Sequence, residues 1–163
     1  MKSLNEDLLV SLVDTFLEPF GLDSDFSSDF SYDYEDDTIY FTIMVSERAD
    51  RLFKQYISNE FHFDPPSIFM ISLLHEVGHA YTLPFISKMI IESDHQAKKE
   101  IEKQLEKDNS DDTYSKYFDL RIEKIATEWA VNYYKANRKR CDDFYSNFAK
   151  TLCTEYERLG LTE

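Results

Sequence analysis

Leu73-Leu74-His75-Glu76-Val77-Gly78-His79-Ala80-Tyr81 sets two histidines four residues apart, with a glutamate beside the first, in a mostly apolar run. Residues four apart share a helix face, so His75 and His79 can each turn a ring nitrogen toward one ion. Two imidazoles so placed suit Zn²⁺, and Glu76 stands where it can take a proton from water activated by that ion. Val77 and Gly78 bring no competing charge. Gly78 lowers helix propensity, which points to close packing against another element. A plain core helix that happens to carry two histidines is the competing reading. Against it, an ionised glutamate buried on such a helix is costly unless it has a task.

The apolar run implies a folded core around it, and the composition agrees. The chain has 163 residues, 42% hydrophobic and 15% aromatic, which suits one α+β domain able to bury a core without staples. Its net charge of −14 argues against nucleic acid as a partner, since phosphates would be repelled. Residues 1–50 hold thirteen acidic side chains against Lys2 and Arg48, a net of −11, so the remainder carries only −3. Met1-Lys2 leads into an amphipathic helix rather than an apolar leader, and no stretch has the length of a membrane span. Cys141 and Cys153 are expected on one helix, about 18 Å apart, too far to bridge. These features suit a reducing cytoplasm.

Working outward from the motif, its helix is expected over 65–83, with Asp64 as N-cap, Pro65 in the first turn and Pro84 as the stop. Before it, Ser3-Leu4-Asn5-Glu6 reads as a capping box for a helix over 3–18, ended by Pro19 and Gly21. A small antiparallel hairpin is expected over 28–45, with Glu35-Asp36-Asp37 as its turn and Thr38–Val45 as its best-defined strand. Ser46 then caps a helix over 47–60. After the motif, residues 85–107 read as a charged, solvated helical segment, and 108–112 as a loop. Helices over 119–140 and 142–159 complete the chain.

A catalytic zinc takes three protein ligands and keeps one position open. His62, His95, Glu123 and Glu128 are the candidates for the third. On the helix Ile122-Glu123-Lys124-Ile125-Ala126-Thr127-Glu128-Trp129-Ala130, Glu123 shares a face with Ala126, Thr127, Ala130 and Tyr134. Alanines beside a carboxylate allow another helix to approach, with Gly78 as the natural partner. Glu128 falls in line with Lys124, Asn132 and Lys135, a solvated stripe. Glu123 is therefore the expected ligand. His62 lies between two phenylalanines and His95 in a charged segment, so both read as non-ligands. Tyr134, on the Glu123 face, is the expected donor to a developing oxyanion.

With both helices read, the chain resembles the ImmA/IrrE-type metallopeptidases, small HExxH proteins of bacteria, phages and mobile elements. His75-Glu76-Val77-Gly78-His79-Ala80 is similar to that family's first motif, and Glu123, Ala126, Thr127, Trp129 and Ala130 to its second, over residues 38–134. The resemblance implies a gluzincin-like zincin domain with His75, His79 and Glu123 as zinc ligands and Glu76 as catalytic carboxylate. It also implies a protein or peptide substrate inside a bacterial or phage-infected cell. Thr127 stands where the family has Asp or Asn, so a partner of a histidine ligand is weakened or replaced there. The segment between the two motifs is also longer than the family's.

The expectation is a zinc peptidase, with an extended substrate added along the strand Thr38–Val45. A rival of another class is an acidic, non-enzymatic binding or inhibitor protein, of the kind a phage encodes, in which the zinc site is structural or vestigial. Glu76 separates the two, because a structural site needs no general base.

Overall fold

A computed structural model describes residues 3–44 and 46–161. The fold is α+β, mostly helical, with one three-stranded sheet. Helix α1 (Glu6–Leu17) opens at Asn5, whose side chain accepts from the Leu8 amide at 3.2 Å. The cap is thus Asn5 rather than Ser3, and the Asn5 amide in turn donates to Glu155 near the C-terminus. Leu9, Val13, Phe16 and Leu17 form the buried stripe, and the chain turns at Gly21 with φ of 69°, a left-handed conformation suited to glycine.

The sheet consists of β1 (Asp23–Phe26), β2 (Ser31–Asp33) and β3 (Thr38–Phe41) in the order β1-β3-β2. The expected antiparallel hairpin is β2–β3, but β1 adds in parallel on the other side of β3, so the sheet is mixed. Strand β1 escaped the sequence reading because Asp23-Ser24-Asp25-Phe26 has no apolar alternation. Its anchor is polar: the Ser24 amide and hydroxyl both donate to Asp14 of α1 at 2.7 Å. Two corrections follow for β3. It is the central strand rather than an edge, and it stops at Phe41, after which Thr42 accepts the Met44 amide in a turn. Val45, the expected end of that strand, lies outside the described residues.

Helix α2 (Glu47–Phe61) begins at the expected Ser46 cap and buries Leu52 and Ile57. The motif helix α3 (Ile68–Thr82) starts later than expected, at Ser67, whose hydroxyl accepts from the Met70 amide at 3.1 Å. Pro66 explains the delay, since a residue preceding proline is driven out of the helical region and Pro65 cannot begin the helix. Met70, Ile71, Leu73, Leu74 and Val77 are fully buried, which makes α3 the central helix of the core.

Helix α4 (Lys88–Lys107) is one continuous charged helix, and a short α5 (Asp111–Ser115) stands where a loop was expected. Ser110 caps α5, and Asp111 ties it to Arg48 and Arg51 of α2 at 2.9 and 3.0 Å. Helices α6 (Arg121–Ala136) and α7 (Arg138–Leu159) break at Asn137, earlier than the expected division near 141. The Asn137 side chain donates to the Tyr133 carbonyl at 3.0 Å, competing with helical hydrogen bonding at that point. Cys141 and Cys153 share α7 as free thiols, the first buried and the second exposed. Among the described residues no helix is long and apolar enough to cross a membrane.

Candidate metal centre

The site forms where α3 and α6 touch. A β-carbon built on Gly78 would lie 2.5 Å from the Ala126 carbonyl oxygen and 3.1 Å from the Ala126 Cα. Only glycine permits this approach, and Ala126 and Ala130, both fully buried, keep the facing surface of α6 low. Tyr81 stacks on Trp129 with ring centroids 5.2 Å apart, pinning the C-terminal end of α3 to the same helix. The close contact sets Glu123, one turn before Ala126, against His75 and His79, which flank Gly78 on α3.

His75 Nε2 lies 2.9 Å and His79 Nε2 3.3 Å from the same oxygen, Oε2 of Glu123. All three ligand atoms fall within 4.8 Å of one another. Ligands on a tetrahedral zinc with bonds of about 2.0–2.1 Å lie about 3.3 Å apart, and both imidazole-to-carboxylate distances are close to that value. Glu123 feels burial, which raises its pKa, yet hydrogen bonds from His75 and His79 outweigh it and hold the carboxyl well below its ordinary range. For His79, burial opposes the charged ring, but the hydrogen bond to Glu123 and the nearby Glu76 charge raise its pKa on balance.

Thr127 touches both His75 and the ligand helix. Its hydroxyl lies 2.8 Å from the Glu123 carbonyl and 3.0 Å from His75 Nδ1. Two arrangements satisfy these distances: the hydroxyl donates to the carbonyl and accepts from Nδ1–H, or it donates to a bare Nδ1. Metal binding through Nε2 would require the first of these, with the proton on Nδ1 and the Nε2 lone pair left for the ion. Thr127→Val keeps the shape and removes that acceptor. It is expected to weaken zinc retention by about 10–100-fold, measured by chelator competition. Unchanged retention would show that the hydroxyl does not orient the ring. His79 has no such support: its Nδ1 is buried without a partner among the described residues.

Glu76 is buried and accepts no hydrogen bond among the described residues; it faces a cleft of about 320 Å³. Burial raises its pKa, partly countered by His75 and His79 and reinforced by Glu123. Residues Phe30–Tyr32 and Tyr34, on and beside β2, form the opposite wall, so the free sheet edge at the site is β2 and not β3.

The structure leaves Tyr134 out of the site. Its ring is fully buried near Phe63, and its hydroxyl donates to Asp142 at 2.5 Å. Tyr134 follows Glu123 by three turns of α6, so a shared face does not make it a neighbour of the ligands. The tyrosine in the cleft is Tyr117, whose pKa is pushed far up by burial first and then by the charges of Glu123 and Glu76. A succession of tight turns from Tyr114 to Leu120 carries it there, six residues ahead of Glu123. Lys98 and Asp94 of α4 also line the cleft. Asp94 is buried and accepts the Ile122 amide at 2.7 Å, capping α6 from another helix just before the ligand. A search for apolar stripes could not find these residues, because a polar side chain facing a polar cleft looks like a solvated one. His62, His95 and Glu128 are exposed; of these only His95 reaches the cleft rim. No family model matches the chain, and neither does any curated protein or solved structure, so its own residues are what speak for the site.

Proposed function

We propose that the chain is a zinc-dependent peptidase, of the ImmA/IrrE kind that its two motifs resemble, acting on an intracellular protein or peptide. The observation that carries this reading is Glu76: a buried carboxylate without a hydrogen-bonding partner among the described residues, beside two histidines and a glutamate that fit one metal ion. Such a group opposes folding and has no use in a purely structural site. Zinc held by His75, His79 and Glu123 supplies Lewis acidity that activates water and polarises a carbonyl.

The chain's own residues divide the remaining work. An extended peptide adds along the free edge of β2, which aligns its backbone between that strand and α3. Glu76 takes the proton of the attacking water and delivers it to the leaving amine. Its raised pKa suits both halves of that transfer. Tyr117, whose hydroxyl stays protonated, donates to the developing oxyanion in place of Tyr134.

Glu76→Gln tests the reading. The variant is expected to keep zinc and fold while losing cleavage by at least about 100-fold, since an amide cannot accept the proton. New peptide termini mapped after incubation with host lysate are the measurement. Intact zinc with identical termini from wild type and variant, and one partner bound tightly by both, would replace the peptidase with the acidic binder. The substitution also has a stability sign. A carboxyl whose folded pKa is raised favours folding least above that pKa. Metal-free Glu76→Gln should therefore melt higher than wild type at neutral pH, with the gap closing as pH falls through the carboxylate range.

A further inference from the structure

A second cavity, of about 260 Å³, opens beside the cleft, and its walls include Ile68, Phe69 and Phe148. Phe30 lines both spaces, and so does one face of α3: Ser72 of the cavity precedes Glu76 of the cleft by four residues, about 6 Å along the helix. The cavity is therefore the next space that a peptide lying along β2 would meet. Phe69 and Phe148 are stacked with centroids 4.6 Å apart, giving it a flat apolar wall.

One charged group lines this wall of hydrocarbon. Asp50, in the first turn of α2, accepts no side-chain hydrogen bond and joins no ion pair among the described residues, and burial raises its pKa. Cations near it on α2 are engaged elsewhere: Arg48 and Arg51 on Asp111, and Lys54 on Asp64 at 3.3 Å. A half-buried carboxylate over an apolar slot complements a side chain with a long methylene stem and a cationic head.

We propose that this cavity receives a lysine or arginine side chain of the peptide substrate, with its stem against Phe69 and Phe148 and its charge on Asp50. Asp50 is then a specificity residue, and the cleavage sites are basic. The inference rests on the peptidase reading, and the test separates the two.

Zinc-loaded protein is titrated calorimetrically with dipeptide hydroxamates that differ only in one side chain: lysine, norleucine or glutamate. The lysine compound is expected to bind about tenfold more tightly than norleucine, and glutamate most weakly, as a charge-assisted contact in a half-buried site implies. Asp50→Asn should bring lysine down to the norleucine level, while Asp50→Glu keeps the preference. Melting curves and zinc content confirm that each variant is folded. Equal lysine and norleucine affinity in wild type, or a lysine preference that survives Asp50→Asn, overturns the proposal. Should even acetohydroxamate fail to bind, the metal reading is what fails. The cavity is then judged on zinc-free protein with n-butylammonium against n-butanol, followed by amide shifts at Asp50 and Ser72. Larger shifts with the ammonium support the proposal; equal or absent shifts overturn it.

Discussion

Glu123→Gln is expected to lower zinc affinity by at least about 100-fold, whereas Glu128→Gln, five residues on, leaves it within about twofold. Losing a ligand costs more than losing a ligand's supporting partner, which alone is worth roughly 10–100-fold. The neutral amide also removes the charge that both imidazoles face at 2.9 and 3.3 Å. Glu128 is exposed on the opposite side of α6 and touches none of this. Zinc content after dialysis against graded chelator distinguishes the variants, and equal retention would mean that the ion is held elsewhere. The same ligands give the metal-free protein a pH dependence of known sign. The lowered pKa of Glu123 contributes stability above its unfolded value, lost as pH falls through the folded one. The raised pKa of His79 contributes stability below its unfolded value, lost as pH rises through the folded one. Zinc needs both groups deprotonated. Its stabilisation, read as the rise in Tm on adding zinc, should therefore grow as pH rises past the titration of His79. A rise in Tm that is independent of pH would place the binding on groups other than these.

Gly78→Ala should be nearly as damaging to the centre, although it changes no ligand. The new methyl would lie 2.5 Å from a backbone carbonyl, and backbone cannot swing aside as a flexible side chain can. Helices α3 and α6 must then separate, at a cost of about 1–3 kcal/mol for overpacking. His79 is the next residue on one helix and Glu123 lies one turn away on the other, so the same movement opens the ligand set. Sites of this kind tolerate displacements of only about 0.5 Å. The variant is expected to melt several degrees lower and to lose zinc to a chelator that leaves wild type loaded. Wild-type melting and retention together would refute the close approach as the device that builds the site.

These two substitutions mark where the sequence was informative. The i, i+4 histidines and the single inward face of Glu123 are local facts of helix geometry, and they can be read from spacing alone. So can the α+β class, the β2–β3 hairpin with its acidic turn, and the glycine–alanine contact, because each depends on periodicity or on residue size at one position. The ends of two elements also have local causes in the sequence. Pro66 delays α3 to Ser67, and Asn137 divides α6 from α7.

What only the tertiary structure decided is which polar residues meet across elements distant in the chain. Thr127 reads as a departure from a motif, yet in space its hydroxyl lies 3.0 Å from the His75 ring nitrogen Nδ1. Tyr134 and Tyr117 cannot be ranked from the sequence, because a helix face extends along its axis while a site occupies one level of it. Tyr134 lies three turns beyond the ligands, on Asp142, and Tyr117 comes in from a turn. Strand β1 pairs through a serine bonded to Asp14 and carries no hydrophobic pattern, so the place of β3 at the centre of the sheet was hidden. Asp94 and Asp50 belong to the same class. Hydrophobic patterning records what leaves water, but it is silent on which charges the fold then brings to one cleft.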